Sequence, residues 1–207
     1  MEINRDVYLN RLITRKQNGF IKVITGIRRC GKSYLLNKIF YNYLLSEGVD
    51  KNHIIRFAFD SADDLLLIDE DILDISEQNR KVDPRKFMKY LAGKIVDDEM
   101  YYLLLDEVQL LGNFEAVLNG YMRKDNLDIY VTGSNSKFLS SDILTEFEGR
   151  GDEIHVLPLS FSEFYSVYEG TKEEAFDDFM VYGDEYEGQW KDNMAEGEGV
   201  LRMQDGS

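Results

Sequence analysis

The chain has 207 residues, 43% of them hydrophobic, with two prolines, one cysteine and a net charge of −15. That length buries one good core with at most a small appendage, and the apolar content is that of a globular protein. No run of 18 apolar residues occurs, so no membrane span is expected, and the lone Cys30 excludes an internal disulfide.

Met1–Asp6 lacks a basic stretch followed by an apolar one, so no secretory leader is expected, and a reducing, cytoplasmic location fits the cysteine usage. Cys30, His53 and His155 have no zinc-site spacing. The charge is uneven: residues 1–58 hold eleven Lys/Arg against four Asp/Glu, a balance of +7, so the remainder carries −22. A basic front suits a phosphate ligand and could touch nucleic acid, but the acidic remainder argues against a nucleic-acid footprint over the whole surface.

Arg5 to Gln17 reads as a short amphipathic helix with Val7, Leu12 and Ile13 as its apolar contacts, ended by Asn18-Gly19. Phe20–Thr25 is β-branched and largely apolar, so it reads as a strand. Gly26-Ile27-Arg28-Arg29-Cys30-Gly31-Lys32-Ser33 follows at once and fits G-x-x-x-x-G-K-[ST]. In such a loop the glycines let the backbone approach phosphates, and successive N–H groups form an anion nest. Lys32 is expected between the β- and γ-phosphates, and the Ser33 hydroxyl on Mg²⁺. The cradle runs from Gly26 through Tyr34, and Cys30 fills a variable position in it. Leu35, Leu36, Ile39, Phe40, Tyr43 and Leu44 recur at helical spacing, so a helix over Ser33 to Ser46 is expected, its positive end at the same phosphates.

His53–Phe59 reads as the next strand. The acidic stretch Asp60 to Asp83 carries Leu65, Ile68, Ile72 and Ile75, which suit one helix face, and Pro84 opens a helix over Phe87, Met88, Leu91 and Ile95. Tyr101–Leu105 is an unbroken apolar run, the mark of a strand covered on both faces, and it ends in Asp106 and Glu107. Ligands of open α/β sheets sit beyond the carboxyl ends of strands. Asp106 is therefore the expected magnesium partner, and Glu107 the group that polarises the attacking water.

Gly112-Asn113 opens a helix with Phe114, Val117, Leu118 and Tyr121 on its apolar side, and Asp128–Thr132 is a fourth strand. Ser134 or Asn135, just beyond it, is placed to sense the γ-phosphate or hold the water, although Gly-Ser-Asn is also turn chemistry. Leu139 to Phe147 reads as helix. Arg150, within Glu148-Gly149-Arg150-Gly151, is the candidate arginine finger, acting on its own chain or on a neighbour. Glu153–Leu157 is a fifth strand, and Ser160 with Glu163 is spaced as a capping box. Strands alternate with helices throughout, which predicts the α/β class with a parallel sheet: a P-loop NTPase three-layer sandwich.

The motifs Thr132-Gly133-Ser134-Asn135-Ser136-Lys137, Glu148-Gly149-Arg150, Leu157-Pro158-Leu159-Ser160-Phe161 and Leu103–Gln109, with the Arg-Arg in the phosphate loop, resemble the predicted prokaryotic AAA+-like ATPases over about residues 6–183. The resemblance implies ATP and Mg²⁺ as ligands, hydrolysis assisted by Glu107, a polar sensor at Ser134/Asn135, and five parallel strands in the order 5-1-4-3-2. The chain departs from that family after Val181-Tyr182-Gly183, where a winged-helix region and a nuclease-like domain would follow. Residues 184–207 instead resemble one MORN repeat, with Tyr186, Gly188 and Trp190 and then Gly197-Glu198-Gly199, which implies a short β-hairpin tail set apart from an ATPase domain at 1–183. The function expected is Mg-dependent ATP hydrolysis coupled to a conformational change in a protein partner or homo-oligomer. A nucleotide-binding regulatory or scaffold module without turnover and a small-molecule P-loop kinase are the alternatives.

Overall fold

The computed structural model describes residues 3, 5–77, 80–133, 147, 149–182, 187–191 and 194–200. Five parallel strands form one sheet: β1 (Ile21–Thr25), β2 (Ile54–Ala58), β3 (Tyr101–Asp106), β4 (Leu127–Thr132) and β5 (Gly151–His155). They lie in the order β2-β3-β4-β1-β5, which is the expected order read from the other edge.

All residues of β1 and β3 are buried, as unalternating apolar runs require when both faces are covered. Ile21, Val23, Phe57, Leu103, Leu105, Ile129 and Val131 face one layer, made by the helices Pro84–Lys94 and Phe114–Tyr121 and by the segment carrying Leu65, Ile68 and Ile75. Ile24, Leu104, Tyr130 and Ile154 face the other, made by the helix Asp6–Thr14 and the helix that follows the phosphate loop. Each fully buried aliphatic or aromatic side chain contributes about 1.5–3 kcal/mol relative to exposure, so this two-faced sheet supplies most of the hydrophobic stabilisation.

Several local expectations change in register. In the first helix Tyr8 and Leu12 are buried while Val7 is 62% exposed, so the apolar stripe is rotated by one residue. The stretch after β2 is two short helices, Ala62–Leu66 and Ile72–Glu77, not one; Asp69, at φ 56°, breaks them with a left-handed turn. The Pro84 helix forms as read, with Asp83 capping it by accepting from the Arg85 N–H at 2.8 Å, but Met88 is 43% exposed and Phe87 and Leu91 carry the packing. The fifth strand starts and ends two residues early, at Gly151–His155. The Ser160/Glu163 capping box is present on the helix Phe161–Tyr165. Most of the expected helix Leu139 to Phe147 lies outside the described residues. Glu187–Lys191 (β6) and Met194–Val200 (β7) pair antiparallel.

Two networks hold three buried charges, Lys22, Asp128 and Glu70. Lys22 and Asp128, on β1 and β4, form an ion pair that is almost fully buried. The Lys22 ammonium also donates to the Phe20 carbonyl at 3.0 Å, and the second Asp128 oxygen accepts from the Gln17 N–H and the Tyr130 hydroxyl, each at 2.9 Å. Burial lowers the Lys22 pKa from its ordinary value, against the upward pull of Asp128. Glu70 lies under the start of the Pro84 helix, with Arg80 Nη2 2.6 Å from one oxygen and Lys86 Nζ 3.1 Å from the other. Burial alone would raise the Glu70 carboxyl; the two cations outweigh it and hold it below its ordinary value. A depressed carboxyl contributes stability that is complete above its unfolded value and is lost as pH falls through the folded one. Glu70→Gln is therefore expected to lower the urea midpoint at neutral pH, with the gap to wild type closing in acid, as read by urea unfolding at a series of pH values.

Candidate nucleotide site

The phosphate loop leaves the carboxyl end of β1, at the sheet rim, and its backbone is set by its residue types. Gly26 has φ 145°, and a Cβ there would stand 2.3 Å from the Val156 carbonyl oxygen and 2.7 Å from Cys30 Sγ, so no side chain fits. Arg29 at φ 65° and Gly31 at φ 87° turn the loop back on itself before the helix begins at Lys32. Ile27, Arg28 and Arg29 are exposed and Cys30 is buried. Lys32 is 5% exposed, and its ammonium lies across the loop, donating to the carbonyls of Gly26 at 3.1 Å and Ile27 at 2.8 Å. Phosphate oxygens are stronger acceptors for an ammonium than amide carbonyls, so the same position suits a charge-assisted contact to a polyphosphate.

The helix after the loop is α-helical over Lys32–Tyr34, π-helical over Leu35–Phe40, and α-helical again over Tyr41–Ser46. The wider turn changes which side chains face the sheet. Asn37 lies in it, and its amide donates to one Asp106 oxygen at 3.1 Å. The Thr132 hydroxyl donates to the other and accepts from the Glu107 N–H at 3.1 Å. Thr132, which ends β4, thus joins the two acids at the carboxyl end of β3. Asp106 is 5% exposed; burial pushes its carboxyl up from the ordinary range, against the hydrogen bonds from Thr132 and Ser33 that pull it down.

Glu107 takes a left-handed φ of 50°, which directs it away from the strand, and the Gln109 amide donates to its carboxylate. Asp60, beyond the end of β2, is raised by burial and then by the charge of Glu107. Three carboxyls and two hydroxyls therefore share the rim beside the loop. The fit to a divalent cation is good: a buried carboxylate hydrogen-bonded to the hydroxyl that follows the loop lysine is the sparse oxygen donor set that magnesium takes when phosphates supply further ligands.

Lys32, Ser33, Asp106 and Glu107, read from separate stretches of sequence, are thus brought to one rim. Arg150 is not. Its carbonyl accepts from the Ile21 N–H at 2.9 Å, and Gly151 pairs with Ile21, so it sits where β1 and β5 begin. Five residues of parallel strand, roughly 16 Å at about 3.3 Å each, separate it from the loop of its own chain. Ser134 and Asn135 lie outside the described residues. Sequence reasoning missed Asn37, Asp60, Gln109 and Thr132. Only Thr132 left a signal, as the hydroxyl that ends the strand next to the Asp-Glu strand.

A family model described as an AAA domain matches residues 18–165, and one described as a MORN repeat matches residues 186–207. An uncharacterized protein of Haemophilus influenzae is 35% identical over 163 residues, covering 78% of this chain and 37% of its own. An uncharacterized protein of Methanocaldococcus jannaschii is 32% identical over 166 residues, covering 78% and 31%. The chain thus spans about a third of the length of these relatives. Among solved structures, the fold resembles a Walker-type ATPase of Pyrococcus abyssi, with a TM-score of 0.54 at 16% identity over 89% of this chain and 63% of that one. It also resembles Cdc6p of Pyrobaculum aerophilum, with a TM-score of 0.53 at 13% identity over 86% and 55%. Among the described residues, no helix is long and apolar enough to cross a membrane.

Proposed function

Because the chain belongs to the AAA domain family, whose general chemistry is nucleotide binding and hydrolysis, we propose that it is a Mg-dependent ATPase whose turnover drives a conformational change in a protein partner or in an oligomer of the chain. The observation that carries the reading is the meeting of the Lys32 ammonium, the Ser33–Asp106 hydrogen bond and Glu107 at one sheet rim. The loop N–H groups and Lys32 hold the β- and γ-phosphates. Ser33 and Asp106 hold magnesium, whose chemistry is to neutralise charge on the phosphate oxygens. Glu107 orients and deprotonates the attacking water, while Gln109 and Thr132 fix its position. Ser134 or Asn135 senses the γ-phosphate, and Arg150 serves a neighbouring chain. The likeness of residues 186–207 to a MORN repeat supports a separate tail that recruits a partner.

The test is phosphate release from ATP by the purified chain with magnesium, set against Lys32→Ala. Wild type is expected to turn over only with magnesium, and Lys32→Ala to lose ATP binding and turnover together. Turnover that survives Lys32→Ala would place the chemistry elsewhere.

A further inference from the structure

Arg5, just ahead of the first helix, is one of the most engaged side chains among the described residues. Its residue is 6% exposed. Nη1 donates to the Cys30 carbonyl at 2.6 Å, Nη2 to the Leu157 carbonyl at 2.8 Å, and Nε to Glu163 at 3.2 Å. The guanidinium also lies 4.6 Å from the centre of the Tyr8 ring, and the Tyr8 hydroxyl in turn accepts from the Leu157 N–H at 3.1 Å. Arg5 takes a left-handed φ of 47° ahead of the helix Asp6–Thr14. An arginine held there costs on the order of 1 kcal/mol and persists only where its surroundings over-determine it.

The contact to Cys30 has a consequence for the loop. The peptide unit is planar and trans, so the Cys30 carbonyl and the Gly31 N–H point in opposite directions. By gripping the carbonyl, the guanidinium fixes the direction of that N–H, a donor of the kind an anion nest uses. Gly31 suits glycine through its φ of 87°; a Cβ there would stand 3.2 Å from Arg5 Nη1, a tight contact that the guanidinium would have to ease by a small shift.

The other two contacts lead away from the loop. Leu157 follows β5, and Glu163 belongs to the capping box of the helix Phe161–Tyr165. That helix packs with Lys172–Tyr182 through Phe161, Phe164, Tyr168, Ala175 and Phe179, a cluster separate from the two sheet faces. A single buried side chain therefore bridges the phosphate loop and the entry to a helical pair with its own small core.

We propose that Arg5 is a positioning residue that presets the Cys30–Gly31 peptide for phosphate and couples nucleotide occupancy of the loop to docking of the Phe161–Tyr182 helical pair. The inference rests on the ATP-binding reading above. The linkage is reciprocal: what docks the pair tightens nucleotide, and nucleotide docks the pair.

Amide hydrogen exchange of the full chain, with and without a non-hydrolysable ATP analogue and magnesium, tests it together with fluorescent-ATP titrations. In wild type the analogue is expected to slow exchange at residues 26–34 and also at 161–165. Arg5→Lys keeps the charge but loses the planar fork. It is expected to weaken ATP binding about tenfold, within the usual coupling range, and at saturating analogue to keep protection at 26–34 while losing it at 161–165. Glu163→Gln keeps the capping box, because glutamine serves at that position. It is expected to lose the distant protection and, by the same reciprocity, to weaken ATP binding by the coupling factor, though less than Arg5→Lys, which also frees the Cys30–Gly31 peptide. A purely structural role would raise exchange at 161–165 equally with and without analogue and leave the difference intact. If Arg5→Lys fails to fold, Glu163→Gln still decides the matter. Distant protection that persists in Arg5→Lys, or that never occurs in a wild type whose loop is protected, overturns the coupling alone. Protection at neither region in wild type overturns the ATP reading and the coupling with it.

Discussion

Glu107→Gln is expected to slow ATP hydrolysis by about 10²–10⁴-fold, the usual contribution of a positioned base, while ATP binding stays within a few-fold of wild type. The two side chains have the same shape, and both tolerate the φ of 50° no better and no worse than each other. Glutamine still offers an oxygen to the Gln109 amide that donates to Glu107. The backbone N–H at 107 keeps its bond to the Thr132 hydroxyl, so Asp106 stays in place. What is lost is an oxygen that takes a proton from water. Single-turnover hydrolysis with radiolabelled ATP, beside equilibrium binding of the same nucleotide, reads the two quantities separately. A variant that turns over at the wild-type rate would remove Glu107 as base and leave Asp60, the next carboxyl at that rim, as the group to replace.

The second large effect concerns stability. Lys22→Met is expected to cost about 3–5 kcal/mol, the penalty for stranding one member of a buried ion pair. Asp128 is 2% exposed, and the Gln17 N–H and Tyr130 hydroxyl that remain do not replace an ammonium. Domains of this kind are stable by about 5–15 kcal/mol, so the variant sits near the edge of folding. Adding Asp128→Leu removes the uncompensated charge and is expected to recover part of the loss, the Gln17 N–H and Tyr130 hydroxyl being left without their acceptor. Urea midpoints of the single and double variants measure this. The half-exposed pair of Arg15 with Asp152, at 2.8 Å, is the internal control: Arg15→Ala is expected to cost under about 1 kcal/mol. A Lys22→Met protein as stable as wild type would mean that the pair is neutral to the fold.

The sheet and half of the site were legible because their signals are local. β3 announces itself by an apolar run ending in two acids, and the phosphate loop by glycines whose φ values no other residue takes comfortably. The rest depends on contacts distant in sequence. Arg5 meets Glu163 across 158 positions, and Lys22 meets Asp128 across 106, and no periodicity points to either. Lys22 simply looks like the one charged residue of an apolar strand. Asn37 was hidden for another reason: the π-helical Leu35–Phe40 departs from the 3.6-residue repeat by which faces are read. The placement of Arg150 was readable in principle. It precedes a strand of a parallel sheet, whereas ligands gather where such strands end.

That placement bears on kinetics. If Arg150 serves a neighbouring chain, as proposed, its guanidinium meets the γ-phosphate bound by that neighbour and not the one on its own loop. Specific activity would then climb with enzyme concentration instead of staying flat, and an inactive Lys32→Ala chain mixed with an Arg150→Ala chain would restore work that neither does alone.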